Sequence, residues 1–246
     1  MSPHTPSRCR RARLRPALAG ACLLAVLFAA PASAALAPRI PPTQRLAVLM
    51  VGHRVHRAPR AQSPLLTSVA ARRPITGEQT VLPVLGRATG AGGIPWLRVL
   101  LPGRPNGSTG WIAQQGTRPA STGWRILVAL GRRRVSVFWH GRLVRVFAAV
   151  VGKPSTPTPT GGFFVEETLK MRAGEPGGPF ALALSARSDT LQEFEGGPGQ
   201  IAIHGLSNLG GVLGAAESHG CMRVANASID WLAARIGPGV PVHILA

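Results

Sequence analysis

The sequence predicts a mainly β protein with one or two short helices: a small β-barrel at residues 45–118, then a β-sandwich or β-sheet domain at residues 124–246. Short apolar runs separated by Gly, Pro and Asn fill the first region. Apolar and polar residues alternate with a period of two after residue 124, which is typical of half-buried strands. Helical spacing of apolar residues appears near the C-terminus. The 30 Gly and 23 Pro residues supply the turns that such a fold needs.

The first 34 residues have the composition of a secretory signal. A cluster of arginines precedes the apolar stretch Ala17–Ala30, and Ala32–Ala34 has the small-x-small pattern of a cleavage site. Fourteen apolar residues are fewer than the roughly 20 that a membrane-spanning helix needs. We therefore expect a signal peptide at residues 1–34 and an exported protein in the periplasm or cell wall. Membrane contact is expected only if the signal is retained as an anchor.

The region 45–118 divides into short strands. A turn at Pro105–Gly107 separates the last two of them. The phrase Trp96–Val99, followed by Gly110–Ile112, resembles bacterial SH3-like modules, and an irregular β spacer is the alternative. Residues 117–123 are interpreted as a boundary. The predicted strands are residues 46–51, 79–85, 96–101 and 111–113.

Three strands in a meander are predicted next, within residues 126–151, with turns at Gly131–Arg132 and His140–Gly141. The Pro-rich run Gly152–Gly161 is interpreted as a rigid loop inside the domain, because Gly162–Val165 continues as a strand. Residues 166–200 are Gly-rich and weakly periodic, which indicates a loop covering the substrate, with a short strand at residues 180–185.

The C-terminal elements follow from simpler signals. Residues 201–204 form a predicted strand that ends in His-Gly. Asn226 is the expected N-cap of a helix whose apolar stripe is Ile229, Leu232 and Ile236, and Gly237–Pro238 is expected to end it. Residues 240–245 close the fold as a last strand.

The charge of the chain favours an anionic partner. Loss of the five arginines in the predicted signal lowers the net charge from +19 to +14. An exported chain with no aromatic-rich RNA motif and no Cys/His finger spacing is not expected to bind nucleic acid. Anionic polymers of a bacterial cell wall are the favoured partner. Arg-for-Lys bias in the genome is a second explanation, since the chain has two lysines, Lys153 and Lys170.

Cys221 is the candidate nucleophile. The other cysteines, Cys9 and Cys22, lie in the predicted signal, so the mature chain has no partner for an internal disulfide. In an extended strand, His219, Cys221 and Arg223 would share one face. We expect an imidazole and a guanidinium beside a thiol to lower its pKa and activate it.

Two histidines, His204 and His219, compete for the role of general base. Side chains two residues apart on one strand are roughly 7 Å apart, too far for a direct hydrogen bond between His219 and Cys221. A neighbouring strand places His204 opposite the thiol. We therefore expect His204 to be the base, with its other ring nitrogen oriented by a backbone carbonyl such as that of Gly205. His219 is expected to contact substrate or polarise the pocket.

Two separated motifs resemble one family. His204–Gly205, a gap of about a dozen residues, and Ser218–Arg223 resemble the signature of the L,D-transpeptidases, the YkuD-like domain. The run from Val151 to Phe163 is similar to that family's Gly-Lys…Thr-Pro-Thr-Gly-x-Phe segment. The resemblance covers roughly residues 124–246, and its specificity comes from the agreement of both motifs in order and spacing.

The resemblance implies a function and a set of roles. Cys221 would attack the amide between the diamino acid and the terminal D-Ala of a peptidoglycan stem peptide, with His204 as base. Ser218 and His219 would shape the pocket, backbone N–H groups near Gly220 and Cys221 would hold the oxyanion, and Arg223 would support the substrate or the site. Arg223 stands where many members carry Asn. An amine of a second stem would then form a 3→3 cross-link, with no metal or other cofactor.

Other functions are compatible with the same residues. Water in place of the amine would give an L,D-carboxypeptidase. A cysteine endopeptidase usually has its histidine far downstream of the cysteine, where His243 is the remaining candidate. A sortase would need a Thr-Leu-x-Thr-Cys run, which the sequence lacks. A zinc site made by His204, His219 and Cys221, and a non-catalytic wall-binding protein, are the candidates from other classes.

Overall fold

The computed structural model describes residues 40–194 and 196–246, so the predicted signal peptide lies outside the described residues. Within the described residues the chain forms two large β-sheets, one short strand pair and one α-helix. Both sheets belong to one compact unit, Pro38–Ala246. No helix among the described residues is both long and apolar enough to cross a membrane. The prediction of a mainly β protein is confirmed.

The first sheet is antiparallel and uses the N-terminal half of the chain. Its order is β3-β2-β6-β5-β4-β1-β7, so β3 and β7 are the edge strands. All four predicted strands are present. Strands β2 and β3 were missed because they are short or polar, and β7 occupies the segment interpreted as a boundary, where it pairs with β1. The relation to SH3-like modules stays a prediction. The strands are β1 (Gln44–Leu49), β2 (His53–His56), β3 (Leu65–Val69), β4 (Val81–Thr89), β5 (Pro95–Leu100), β6 (Thr109–Ala113) and β7 (Thr117–Thr122).

The second sheet has the order β10-β9-β8-β17-β12-β13-β14-β16, and β11 pairs separately with β15 in parallel. The helix α1 spans Asn226–Ala233. The strands are β8 (Trp124–Ala129), β9 (Arg134–Trp139), β10 (Arg142–Ala148), β11 (Val151–Gly152), β12 (Gly161–Lys170), β13 (Phe180–Arg187), β14 (Gln200–His204), β15 (Ala216–Ser218), β16 (Met222–Arg223) and β17 (Pro241–Leu245).

The meander β8-β9-β10 is confirmed, and its sequence explains it. His140 and Gly141 have φ of +48° and +79°, as a tight hairpin turn with the right twist requires. The alternate apolar residues of β8 and β9 are fully buried in the core: Ile126, Val128, Val135 and Val137.

Strand β12 is longer than predicted. The sequence was interpreted as a loop from residue 166 onward, yet the strand continues to Lys170. Glu166 and Glu167 lie within the segment predicted to be a loop, but each is 1% exposed. Arg187 donates to Glu166 at 3.0 Å, and Arg73 from the first sheet's β3–β4 loop pairs with both carboxylates. These cations make the burial of two adjacent carboxylates tolerable.

The helix α1 also differs from the prediction. Asn226 is its first residue rather than its N-cap, which is Ala225 without a capping side chain. The Asn226 side chain instead accepts from the Leu206 N–H at 2.9 Å and donates to Ser207 Oγ at 2.8 Å. Ile229 and Leu232 are buried as predicted. The helix ends at Ala233, before the Gly237–Pro238 stop, and hydrogen bonds from the Arg235 and Ile236 N–H groups to the Leu232 carbonyl follow it.

A buried side chain joins the two sheets, in addition to the ion pairs of Arg73. Phe164 of β12 is 1% exposed and belongs to the apolar cluster of the first sheet, with Leu82 and Ile112. Its neighbours Phe163 and Val165 point into the cluster of the second sheet. Strand β12 therefore contributes alternate side chains to two cores, as the period of two allows.

Candidate active site

One cavity of about 500 Å³ brings together the four chemically active side chains that the sequence singled out. They lie at the edge of the second sheet, at the end of β14, in β16 and in the segment just before β16, and apolar residues form much of the remaining wall. A concave site with a few convergent polar groups is the usual form of a binding site. The four are His204, His219, Cys221 and Arg223, and the other lining residues include Ile75, Met171, Phe194, Pro198, Gln200 and Leu209.

Cys221 is half-buried at the wall of this cavity, and its Sγ contacts the Gln200 carbonyl oxygen at 3.9 Å. The stretch around Cys221 is not one continuous strand, because β15 ends at Ser218 and β16 begins at Met222. Gly220 interrupts it with φ of +118°, a conformation that favours glycine. A Cβ there would also lie 2.9 Å from Ile201 Cδ1. The break still leaves His219, Cys221 and Arg223 on one cavity.

His204 lies on the strand next to the cysteine segment, as predicted. Strands β14 and β16 are parallel, and their register pairs His204 with Arg223 rather than with Cys221. His204 Nδ1 lies 2.8 Å from the Gly205 carbonyl oxygen, which is the predicted contact. A carbonyl accepts only, so Nδ1 carries the proton and a neutral ring keeps its lone pair on Nε2.

The surroundings of His204 favour its neutral form. Burial lowers the pKa of His204 below the ordinary value of 6.5, and the charge of Arg223 lowers it further. The hydrogen bond to Gly205 opposes this shift in part. A ring that is neutral at neutral pH can accept a proton from a thiol.

Glycines pack closely around this histidine. A Cβ on Gly177 would lie 2.8 Å from His204 Nδ1, and Gly177 has φ of +85°. A Cβ on Gly205 would overlap the Gly178 carbonyl and approach Asn226 Oδ1 to 2.7 Å. Gly205 is therefore required by close packing as well as for its carbonyl. The Asn226 side chain holds this turn rather than capping its own helix.

Ser218 is fully buried beneath the cavity and is absent from its lining. Its Oγ donates to the Cys221 carbonyl at 2.6 Å and accepts from the Gly220 N–H at 3.2 Å. Ser218 thus shapes the turn that carries the cysteine. In this conformation the Gly220 N–H donates to Ser218 Oγ, whereas the family resemblance implies an oxyanion donor among the N–H groups near Gly220 and Cys221.

The Pro-rich loop after β11 supports the same turn. Thr158 Oγ1 donates to the Gly220 carbonyl at 2.8 Å and accepts from the Gly152 N–H at 2.9 Å. Thr156 Oγ1 donates to the Ser218 carbonyl at 3.2 Å. This loop is recognisable in the sequence as a motif, but the motif alone indicates no role for its threonines. Their role depends on partners 62 residues away.

Replacing Thr158 by valine tests this support. Valine has nearly the same shape but leaves the Gly152 N–H and the Gly220 carbonyl without their partner, so we expect the free energy of unfolding to fall by about 1–3 kcal/mol. Thermal unfolding measures the loss. Thr67→Val, on the exposed strand β3, is the matched control. Equal unfolding temperatures in the two variants would contradict the assigned role.

His219 and Arg223 complete the cavity. The exposed His219 ring lies 5.5 Å from the Phe194 ring, tilted by 30°. Arg223 donates to the Gly210 carbonyl at 2.6 Å and so anchors the segment that brings Leu209 to the wall. Phe194 belongs to the Gly-rich segment that was predicted to cover substrate, and it does line the cavity. Ile75 was missed, since nothing in the sequence relates it to residues more than a hundred positions away.

The zinc alternative receives no support from the geometry. Among residues 40–194 and 196–246, no group of three or more His, Cys, Asp or Glu side chains is arranged to hold a metal ion. The groups on the cavity are instead a cysteine, two histidines and an arginine.

The fold and the cavity together define a mainly β protein with a cysteine–histidine site at a sheet edge. Residues 123–244 match the family described as YkuD, the L,D-transpeptidase catalytic domain. The YkuD protein of Bacillus licheniformis, which is named for that activity, is 33% identical over 129 residues, 51% of this chain and 68% of its own length. Its Bacillus subtilis counterpart is 30% identical over the same extents. The chain belongs to the L,D-transpeptidase family of YkuD-like catalytic domains.

The chain is also similar to a solved structure. L,D-transpeptidase 3 of Mycobacterium tuberculosis, in complex with a faropenem-derived adduct, is 13% identical with a TM-score of 0.45. The match covers 81% of this chain and 95% of that one.

Proposed function

We propose that the protein is a peptidoglycan L,D-transpeptidase that forms 3→3 cross-links between stem peptides through a thioester on Cys221. The observation that carries the proposal is the single cavity shared by Cys221, His204 and Arg223 in a chain of this family. The neutral form of His204 supports its role as base. No cofactor is needed, because the cleaved amide supplies the energy of the new amide.

The first half-reaction forms the thioester. Nε2 of His204 accepts the Cys221 thiol proton, and the sulfur attacks the carbonyl carbon between the diamino acid and the terminal D-Ala. The protonated His204 then donates that proton to the leaving amine, so D-Ala departs as a neutral amine and the acyl group remains on sulfur. Arg223 supports the site from the neighbouring strand position.

The second half-reaction transfers the acyl group. The side-chain amine of another stem attacks the thioester carbonyl, His204 accepts the proton that the amine loses, and the sulfur leaves as a thiolate that regains it. Water in place of the amine would make the enzyme an L,D-carboxypeptidase. The cavity has about the volume of a small-ligand site and lies beside the half-buried thiol.

The location and partners follow from the predicted signal and the charge. We propose that the enzyme works outside the cytoplasmic membrane, in the periplasm or cell wall, on stem peptides. Its net charge of +19, or +14 without the predicted signal, favours retention by anionic wall polymers.

Incubation with a tetrapeptide stem and a tripeptide acceptor tests the proposal. We expect mass spectrometry to show release of D-Ala, an acyl group on Cys221 and a cross-linked hexapeptide product. Release of D-Ala without any cross-linked product would favour the carboxypeptidase. Absence of both D-Ala release and acylation would reject the proposed function.

A further inference from the structure

The first sheet contributes two loops to the neighbourhood of Cys221, and the family match at residues 123–244 includes neither of them. We propose that these loops complete the substrate pocket. The β3–β4 loop supplies Ile75 as a specificity-determining wall, and the β5–β6 loop positions the segment that carries Phe194 through Arg104. The inference rests on the proposed function, since it assigns both loops to that same pocket.

Ile75 reaches the cavity from a loop that is fixed on both sides of it. The side chain is 62% exposed, yet it lines the cavity that holds Cys221. Arg73, two residues before it, pairs with Glu166 and Glu167 of β12. Thr76, directly after it, donates its N–H and its Oγ1 to Glu167, each at 2.9 Å. Buried anchors thus hold an apolar side chain in an exposed position where it faces the substrate space.

The loop itself is closed by its own backbone. The Arg73 N–H donates to the Glu78 carbonyl at 2.8 Å, and the Gly77 N–H donates to the Arg73 carbonyl at 3.0 Å. An isolated antiparallel β-bridge also pairs the backbones of Arg72 and Gln79. Because the loop is braced internally and anchored on β12, Ile75 has a defined place at the wall.

Arg104 joins two arms of a second segment. We call residues 188–194 and 196–199 the Phe194 loop. The Arg104 guanidinium donates to the Ser188 carbonyl at 2.7 Å and the Leu191 carbonyl at 3.1 Å on one arm, and to the Pro198 carbonyl at 2.9 Å on the other. The rigid fork of an arginine suits such contacts, and a lysine has no equivalent geometry.

Neighbouring residues of the same β5–β6 loop reinforce this contact. Asn106 accepts from the Arg187 N–H at 2.8 Å and donates to the Arg187 carbonyl at 2.7 Å, as an added strand would. The Gly103 N–H donates to the Ser185 carbonyl at 3.2 Å. The β5–β6 loop is therefore bound to the end of β13 and to both arms of the Phe194 loop.

The held segment meets the reactive groups directly. Phe194 lies between the two arms that Arg104 joins, lines the main cavity and packs against the His219 ring. Ser188, Leu191, Phe194 and Gly199 also border a small recess that reaches His219 and Cys221. Arg104 touches none of the reactive groups, so it is a positioning residue that acts through the Phe194 loop.

The test of Arg104 uses the full chain and three variants. Arg104→Met removes all three contacts, and Arg104→Lys keeps the charge without the fork. Arg98→Met is the matched control, since Arg98 lies on β5 of the same sheet and its side chain contacts Thr109. We expect backbone hydrogen exchange in peptides covering residues 188–199 to accelerate at least about tenfold in Arg104→Met, less in Arg104→Lys and not in Arg98→Met.

Carbapenem acylation of Cys221 gives the second measurement for the same variants. In Arg104→Met we expect the half-saturating carbapenem concentration to rise, with part of the loss recovered in Arg104→Lys. For the wall, Ile75→Ala should raise the half-saturating concentration of the tetrapeptide stem up to about tenfold with little change in limiting rate. Ile94→Ala, at an exposed isoleucine directly before β5 and outside the cavity, should leave both unchanged.

The outcomes separate the two proposals. If the wild-type chain is acylated and Arg104→Met and Ile75→Ala behave like their controls, the inference is overturned while the proposed function stands. If the wild-type chain is not acylated, the proposed function fails. Whatever the acylation result, unchanged hydrogen exchange at residues 188–199 in Arg104→Met would overturn the positioning role of Arg104.

Discussion

Replacement of Cys221 by alanine is expected to abolish covalent labelling by a carbapenem. The strained lactam carbonyl acylates an activated thiol, and alanine has no nucleophile to offer. We expect the wild-type chain to gain the mass of one carbapenem and the Cys221→Ala variant to gain none. Peptide mapping locates the adduct and distinguishes Cys221 from Cys9 and Cys22.

The interpretation of this result depends on an intact fold. Because Cys221 is half-buried at the cavity wall, its truncation should change the unfolding temperature little. Unfolding curves of the two proteins provide the control. An adduct that persists at full stoichiometry in Cys221→Ala would reject the thioester mechanism.

The second large effect is expected at His204. His204→Ala removes the proposed base and should slow acylation by about 10²- to 10⁴-fold. His219→Ala is the matched comparison, since both residues are histidines on the same cavity. The exposed His219 ring contributes an aromatic contact to Phe194 of about 0.5–1.5 kcal/mol, so its loss should cost at most about tenfold. The reverse ranking, measured by stopped-flow acylation, would overturn the assignment of the base.

The pH dependence of acylation provides a separate check on His204. Its lowered pKa means that the ring stays neutral until the pH falls below 6.5, so we expect the acid limb of the acylation rate to lie below that value. The unfolded chain binds this proton more readily than the folded chain, so the contribution of His204 to stability is present above pH 6.5 and is lost as the pH falls. An acid limb above pH 6.5 would contradict the neutral base.

Local patterns in the sequence predicted much of the fold. The strands β8, β9 and β10 follow from alternation and turn residues, and their side chains are buried as that alternation requires. The contact between His204 and the Gly205 carbonyl could also be predicted, because adjacent residues determine it. Such features depend on the alternation of apolar and polar residues, or on contacts between adjacent residues, and both can be identified within one short segment.

The errors share a different physical origin. Glu166 and Glu167 were interpreted as loop residues, although cations from distant segments pair with them inside a strand. Asn226 was expected to cap its own helix, but its amide binds residues 206 and 207 instead. Thr158 and Ile75 act at the cavity through contacts made only after folding. Long-range partners of this kind leave no local period from which they could be inferred.

The burial of Phe164 against the first sheet affects whether the matched segment would be stable without that sheet. A fragment beginning at residue 123 would contain the whole matched segment, but would lose the cover of Phe164 and the cation Arg73. An uncovered phenylalanine costs about 1.5–3 kcal/mol, a sizeable share of the 5–15 kcal/mol that stabilises a typical domain, and Glu167 would also lose its ion pair with Arg73. The first residue of the family match is therefore not the first residue of a unit that would be fully stable on its own.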